Sequence, residues 1–170
     1  IIFLYFFTVK IDLGDVFRLA SRYSGRVSLM IYVYSFCLYV INFLKNRKLE
    51  STKNAVQVFC ILHLIHFIFL TLSVYLNNLP IIPINILGGF LAYLFIIIYP
   101  FIINKIINPI YHTIFFYYVG FIMAMTYLSR VKGEFTGAEP ELFHFIALIG
   151  LIFIFIFFGL LLIKKRVVKN

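Results

Sequence analysis

The chain has 170 residues, 64% of them hydrophobic, 20% aromatic and only 12% charged, a balance that would leave very large apolar patches on a water-soluble domain of this size. An ordinary soluble globular protein is therefore excluded, and the bilayer is the expected solvent. The net charge of +9 is concentrated between and after the apolar runs, where it sets membrane orientation and argues against a nucleic-acid partner.

The opening run IIFLYFFTV (1–9) is too short to cross a bilayer and is expected to be the remnant of an earlier helix, with residues 1–26 forming a partial hydrophobic segment and a polar linker. Apolar runs of roughly 17 to 25 residues follow, the length a helix needs to cross about 30 Å of hydrocarbon. The first complete span is expected over about 27–44 and ends at Lys45, Arg47 and Lys48, a basic cluster suited to a helix C-terminus and a headgroup layer, here termed side A. The second, about 55–76, stops at Asn77, Asn78 and Pro80 on the opposite side, B. The third, about 84–103, carries Pro100 as a kink near its end and returns to side A at Asn104 and Lys105.

Asn108 before Pro109 is a helix-start signal, and the fourth span is placed at about 109–128. The polar segment SRVKGEFTGAEPE (129–141) is the one substantial loop, on side B. The fifth span, about 142–163, leads to a basic tail, KKRVVKN (164–170), on side A. The expected fold is thus an all-α bundle of five transmembrane helices over 27–163. Side A collects Lys45, Arg47, Lys48, Lys53, Lys105, Lys164, Lys165, Arg166 and Lys169 against the single acid Glu50. By the positive-inside rule side A, with the C-terminus, is cytoplasmic in a bacterial inner membrane or a plasma membrane. Cys37 and Cys60 lie within apolar runs without metal-ligand spacing and read as packed small side chains.

All four histidines, His63, His66, His112 and His144, fall within these spans, whereas acidic and basic side chains avoid the span interiors. A strongly polar group inside a membrane is costly and usually faces the bundle, where it serves a site or a hydrogen bond. His63 and His66, three apart, share a helix face. Gly120, two turns after His112, lacks a side chain that would obstruct a flat ring. Neutral imidazole is a common axial ligand of haem iron, and one histidine from the second and one from the fourth span could clamp a haem. The alternative reading of the same residues is polar glue, with hydrogen bonds across helices worth roughly 1 kcal/mol each. His144 reads as an interfacial hydrogen-bonding residue, while Arg22 and Arg26 could meet a haem propionate, a substrate anion or lipid headgroups.

The segments YSGRVSL (23–29), ILHLIHF (61–67), PIYHTIFFYY (109–118) and TYLSRVK (126–132), in that order and spacing, resemble the ferric reductase-like transmembrane family. Within it they are most similar to the haem-binding membrane subunits of bacterial methionine sulfoxide reductase systems. The resemblance implies a haem b electron carrier in which His63 and His112 are iron ligands and His66 is an adjacent extra imidazole. The family's further histidine, thirteen or fourteen residues on, is replaced here by Met125 and Thr126 after His112 and by Leu76 and Asn77 after His63, so one haem is the most expected. Met123 or Met125 is an alternative ligand.

Counted from the expected span starts, His63 lies roughly 12 Å along its helix and His112 about 4 to 5 Å along its own, although one iron needs both at nearly the same height. No nucleotide-binding GxGxxG segment is present, so the chain would bind no flavin or NAD itself. Electrons would come from a separate flavoprotein or quinol and leave to an acceptor such as a periplasmic protein. An oxidoreductase membrane subunit without catalytic residues of its own is then one expectation. A haem-free structural or interaction subunit is the other. A transporter or membrane hydrolase lacks the intramembrane acids or motifs it would need.

Overall fold

The computed structural model describes residues 12–80, 83–134 and 139–169. Among them the regular elements are five α-helices: α1 (Leu13–Leu44), α2 (Glu50–Leu76), α3 (Pro83–Ile102), α4 (Pro109–Val131) and α5 (Leu142–Lys169). The opening run 1–9, loop residues 135–138 and the final Asn170 lie outside the described residues. Four helices, α1, α2, α4 and α5, are long and apolar enough to cross a membrane, and Leu87–Ile102 of α3 forms a shorter apolar helix. The third expected span is therefore helical, although only Leu87–Ile102 of it counts as an apolar helix and it falls outside the four.

Several helix starts and stops have an identifiable cause. Asn108 accepts a hydrogen bond from the Ile110 amide (3.0 Å), with Pro109 opening α4. Asn46 and Asn78, both at positive φ (51° and 48°), turn the chain after α1 and α2, a conformation that asparagine tolerates better than most residues. At the end of α1, Lys165 of α5 donates to the carbonyls of Phe43 and Leu44 (2.9 Å to the latter) and to Asn46 Oδ1 (2.8 Å). A cation there satisfies orphan carbonyls and opposes the negative end of the helix dipole.

Four helices run beyond their expected limits, α1 and α5 the furthest. α1 starts at Leu13, capped by Asp12, so 13–26 is helix rather than linker. Several of its polar side chains find partners nearby: Ser21 and Ser24 donate to carbonyls three residues back, and Arg18 pairs with Asp15 (3.2 Å). α5 continues through the basic tail to Lys169.

The helices alternate in direction, as shared end contacts show. Asn42, late in α1, donates to Ser51 and Thr52 at the start of α2 (2.9 and 3.0 Å), and Asn104 after α3 bonds Glu50 (3.1 Å). At the opposite end, Asn77 after α2 bonds Arg18 and the Gly14 carbonyl. Helices α1 and α2 form the most extensive pairing and α4 packs on α5, while α3 bridges α2 and α4.

The core is aromatic. Phe36 is sealed from solvent, stacked on Phe116 (centroids 5.0 Å) and met edge-on by Phe158 (4.9 Å); offset and edge-to-face rings of this kind add about 0.5–1.5 kcal/mol to their burial. Interior tyrosine hydroxyls end on helix carbonyls: buried Tyr32 on Phe116 (2.6 Å) and Tyr39 on Pro109 (3.0 Å), and half-buried Tyr117 on Phe155 (2.8 Å). The outer faces of the helices carry exposed Ile, Leu and Phe, such as Ile61, Phe101, Ile149 and Phe153, the pattern expected of a surface solvated by lipid.

Candidate functional site: two histidine seams and an arginine end

Between α1 and α2 runs a polar seam. Four positions apart on α1, Ser24 and Ser28 lie on one helix face. The Ser28 hydroxyl is 2.7 Å from His63 Nδ1 and the Ser24 hydroxyl 3.1 Å from His66 Nδ1. The two imidazoles are neighbours (centroids 5.6 Å), and His63 also stacks on Tyr93 of α3 (4.8 Å). Gly25 lets the backbones approach, since a Cβ there would sit 3.0 Å from His66 Cε1. Small residues that admit a close neighbour and polar side chains that bond across the contact are the usual means by which membrane helices associate.

His112 belongs to a different seam. Its Nδ1 is 2.7 Å from the Tyr99 hydroxyl of α3 and its Nε2 3.3 Å from the Ile106 carbonyl. It is buried against Tyr39 of α1 (centroids 5.8 Å). Both ring nitrogens are thus engaged in hydrogen bonds.

The structure brings together His63 with His66 and separates both from His112. His63 meets α1 at Ser28 and His112 meets it at Tyr39, eleven residues further on, roughly 16 Å along a straight helix at 1.5 Å per residue. Rings of Phe59, Tyr32 and Phe116 fill the space between (Phe59 to Tyr32, 5.6 Å; Tyr32 to Phe116, 6.3 Å). The side-chain-free face of Gly120 is filled too, because a Cβ there would overlap the Tyr32 hydroxyl and the Phe155 ring.

In this arrangement His63 and His112 do not fit opposite sides of one iron. His63 and His66, on the same helix face, cannot flank a flat ring either. Among the described residues no three His, Cys, Asp or Glu side chains converge as metal ligands, and Cys37 and Cys60 are unpaired thiols.

His144 stands apart, at the start of α5, where Nδ1 accepts the Glu141 amide (3.0 Å). It is a helix-start hydrogen-bonding residue. Beside it Glu141 receives Arg22 of α1 (3.0 Å) and Arg26 through its two oxygens, and the Arg26 guanidinium lies over the Phe143 ring (4.7 Å). Arg130 of α4 lies close enough to feel the charges of Arg22, Arg26 and Glu141. Partial burial acts to raise the Glu141 carboxyl, but the Arg26 hydrogen bond and the charges of Arg26, Arg22 and His144 outweigh it and hold the carboxyl below the usual glutamate range.

Reading the sequence for chemistry missed the hydroxyl partners, Ser24, Ser28 and Tyr99. The serine pair had a usable signal in its four-residue spacing, whereas Tyr99 to His112 is a contact between helices that spacing does not reveal.

The fold and these contacts define an all-helical protein with four helices able to cross a membrane and a hydrogen-bonded, aromatic interior. No family model, curated protein or solved structure matches the chain.

Proposed function

We propose that the chain is an integral membrane protein of five spans whose histidines hold helices together, and that it serves as a haem-free structural or interaction subunit. The observation that supports this reading most is the separation of His63 and His112 by roughly 16 Å along α1, with an aromatic layer between them. Every histidine has a protein hydrogen-bond partner, and for His63, His66 and His112 that partner lies on another helix, as polar glue requires and an open ligand pair does not. Side A, rich in lysine and arginine, is the cytoplasmic face, with the C-terminus on it.

A second reading, a haem b electron-transfer subunit of ferric reductase-like type, draws on the order of the four sequence segments and on one contact. Ser28 holds Nδ1 of His63, the orientation by which neighbouring groups present Nε2 of an imidazole to a metal. That subunit would depend on a separate flavoprotein or quinol as donor and an acceptor across the membrane.

The deciding experiment is a dithionite-reduced minus oxidised spectrum of the detergent-purified chain, expressed with haem supplied, together with a pyridine haemochrome assay. A folded, monodisperse sample without b-type bands is expected. A low-spin b-type spectrum near one haem per chain would overturn the proposal, and its loss in His63→Ala would assign the ligand.

A further inference from the structure

On the outside of the bundle α4 and α5 part to leave a groove of about 520 Å³, lined by Thr113 and Tyr117 of α4 and, on α5, by residues that include Ile156, Gly159, Leu160 and Ile163. Gly159 helps to keep it open, since a Cβ there would come 3.0 Å from the Tyr117 hydroxyl. The polar groups of its lining are already engaged: Tyr117 donates to the Phe155 carbonyl (2.8 Å) and Thr113 to the Pro109 carbonyl (3.1 Å). The surface on offer is therefore hydrocarbon, and an occupant is held by van der Waals packing.

The groove lies toward side A, because Thr113 is one turn from the start of α4 and Ile163 immediately precedes the basic tail. Ile156, Leu160 and Lys164 follow at four-residue spacing on one face of α5. The stripe that lines the groove thus ends in a cation. Lys164 is exposed and takes no part in the ion pairs among the described residues, whereas Lys165 is turned to the end of α1.

We propose that the α4–α5 groove holds an acyl chain of an anionic phospholipid whose headgroup phosphate pairs with Lys164. An apolar slot ending in a cation matches an amphiphile with the opposite charge at its head, and the cytoplasmic leaflet, on side A, is the one that carries anionic lipid. The site rests on the membrane placement and orientation proposed above and is independent of whether haem is bound.

Native mass spectrometry of the intact detergent-solubilised chain, with phosphatidylglycerol or phosphatidylcholine added, provides the test. Phosphatidylglycerol should be retained about fivefold over phosphatidylcholine, the effect of one lysine near an anionic headgroup, and Lys164→Gln should abolish that preference. Lys105→Gln removes the same charge from side A at an exposed position after α3, a helix without extensive packing on α5, and should leave retention unchanged. Filling the groove, by Gly159→Leu or by Leu160→Trp from an exposed lining position, should lower retention of both lipids.

Equal retention of the two lipids by the native chain, an equal loss in Lys164→Gln and Lys105→Gln, or full retention in a folded Leu160→Trp chain would overturn the proposal. A dimer that added lipid does not disperse and that Leu160→Trp abolishes would overturn it too, by giving the groove to a second copy. Release of the chain from membranes by carbonate would remove the membrane placement and the lipid site with it, a result read separately from lipid selectivity.

Discussion

Gly120 shows how tightly single residues are constrained here, because the space a side chain would take is held by the Tyr32 hydroxyl and the Phe155 ring. Gly120→Ala should destabilise the bundle by about 1–3 kcal/mol, the usual cost of overpacking a well-filled core, read as a lower thermal midpoint in detergent. Ser28 and His63 form a hydrogen bond inside an apolar contact. A Ser28→Ala, His63→Ala double-mutant cycle should return a coupling of about 0.6 kcal/mol, as such bonds do in membranes, and zero coupling would remove the seam from the list of stabilising contacts. Glu141 provides a pH dependence. Its carboxyl lies below the usual glutamate value in the folded state, so its contribution to stability is present above the unfolded value and is lost as pH falls through the lowered one. The thermal midpoint should drop over that acid range in the native chain, and Glu141→Gln should flatten the drop.

Among the elements, α1 departs most from what its sequence suggests. Its 32 residues make a rod of about 48 Å at 1.5 Å per residue, well beyond a bilayer's hydrocarbon. Hydropathy finds the apolar part, 27–44. The preceding LGDVFRLASRYSGR reads as a linker because its arginines and serines look incompatible with a span. They are tolerated because partners come from elsewhere in the chain, Glu141 for Arg22 and Arg26 and Asn77 for Arg18, contacts across 115 or more residues in the first case that no local pattern encodes. By contrast, the start of α4 was legible from Asn108 and Pro109 alone, since an N-cap is a local interaction. Asn77 ties the first turns of α1 to the end of α2 through Arg18 and the Gly14 carbonyl. Asn77→Ala should speed amide exchange in residues 13–18 while leaving 30–40 protected; uniform protection would show that the N-terminal turns need no such tie.

At the scale of the whole molecule, apolar run lengths anticipated five helices and their alternation, because the bilayer's thickness acts on each segment separately. The meeting of side chains was not legible in the same way. His63 and His112 occupy helices that run in the same direction, and their relative height depends on how α2 and α4 slide against α1, which the Ser28 and Tyr39 contacts fix. That height difference is the central claim, since it turns a candidate cofactor clamp into two separate helix seams. Paired-cysteine cross-linking in membranes, with Cys37 and Cys60 first replaced by alanine, tests it most directly. The account predicts rapid disulfide formation in Ser28→Cys with His63→Cys and none in His63→Cys with His112→Cys. Efficient cross-linking of the second pair, with failure of the first, would contradict it and restore the two histidines to a shared site.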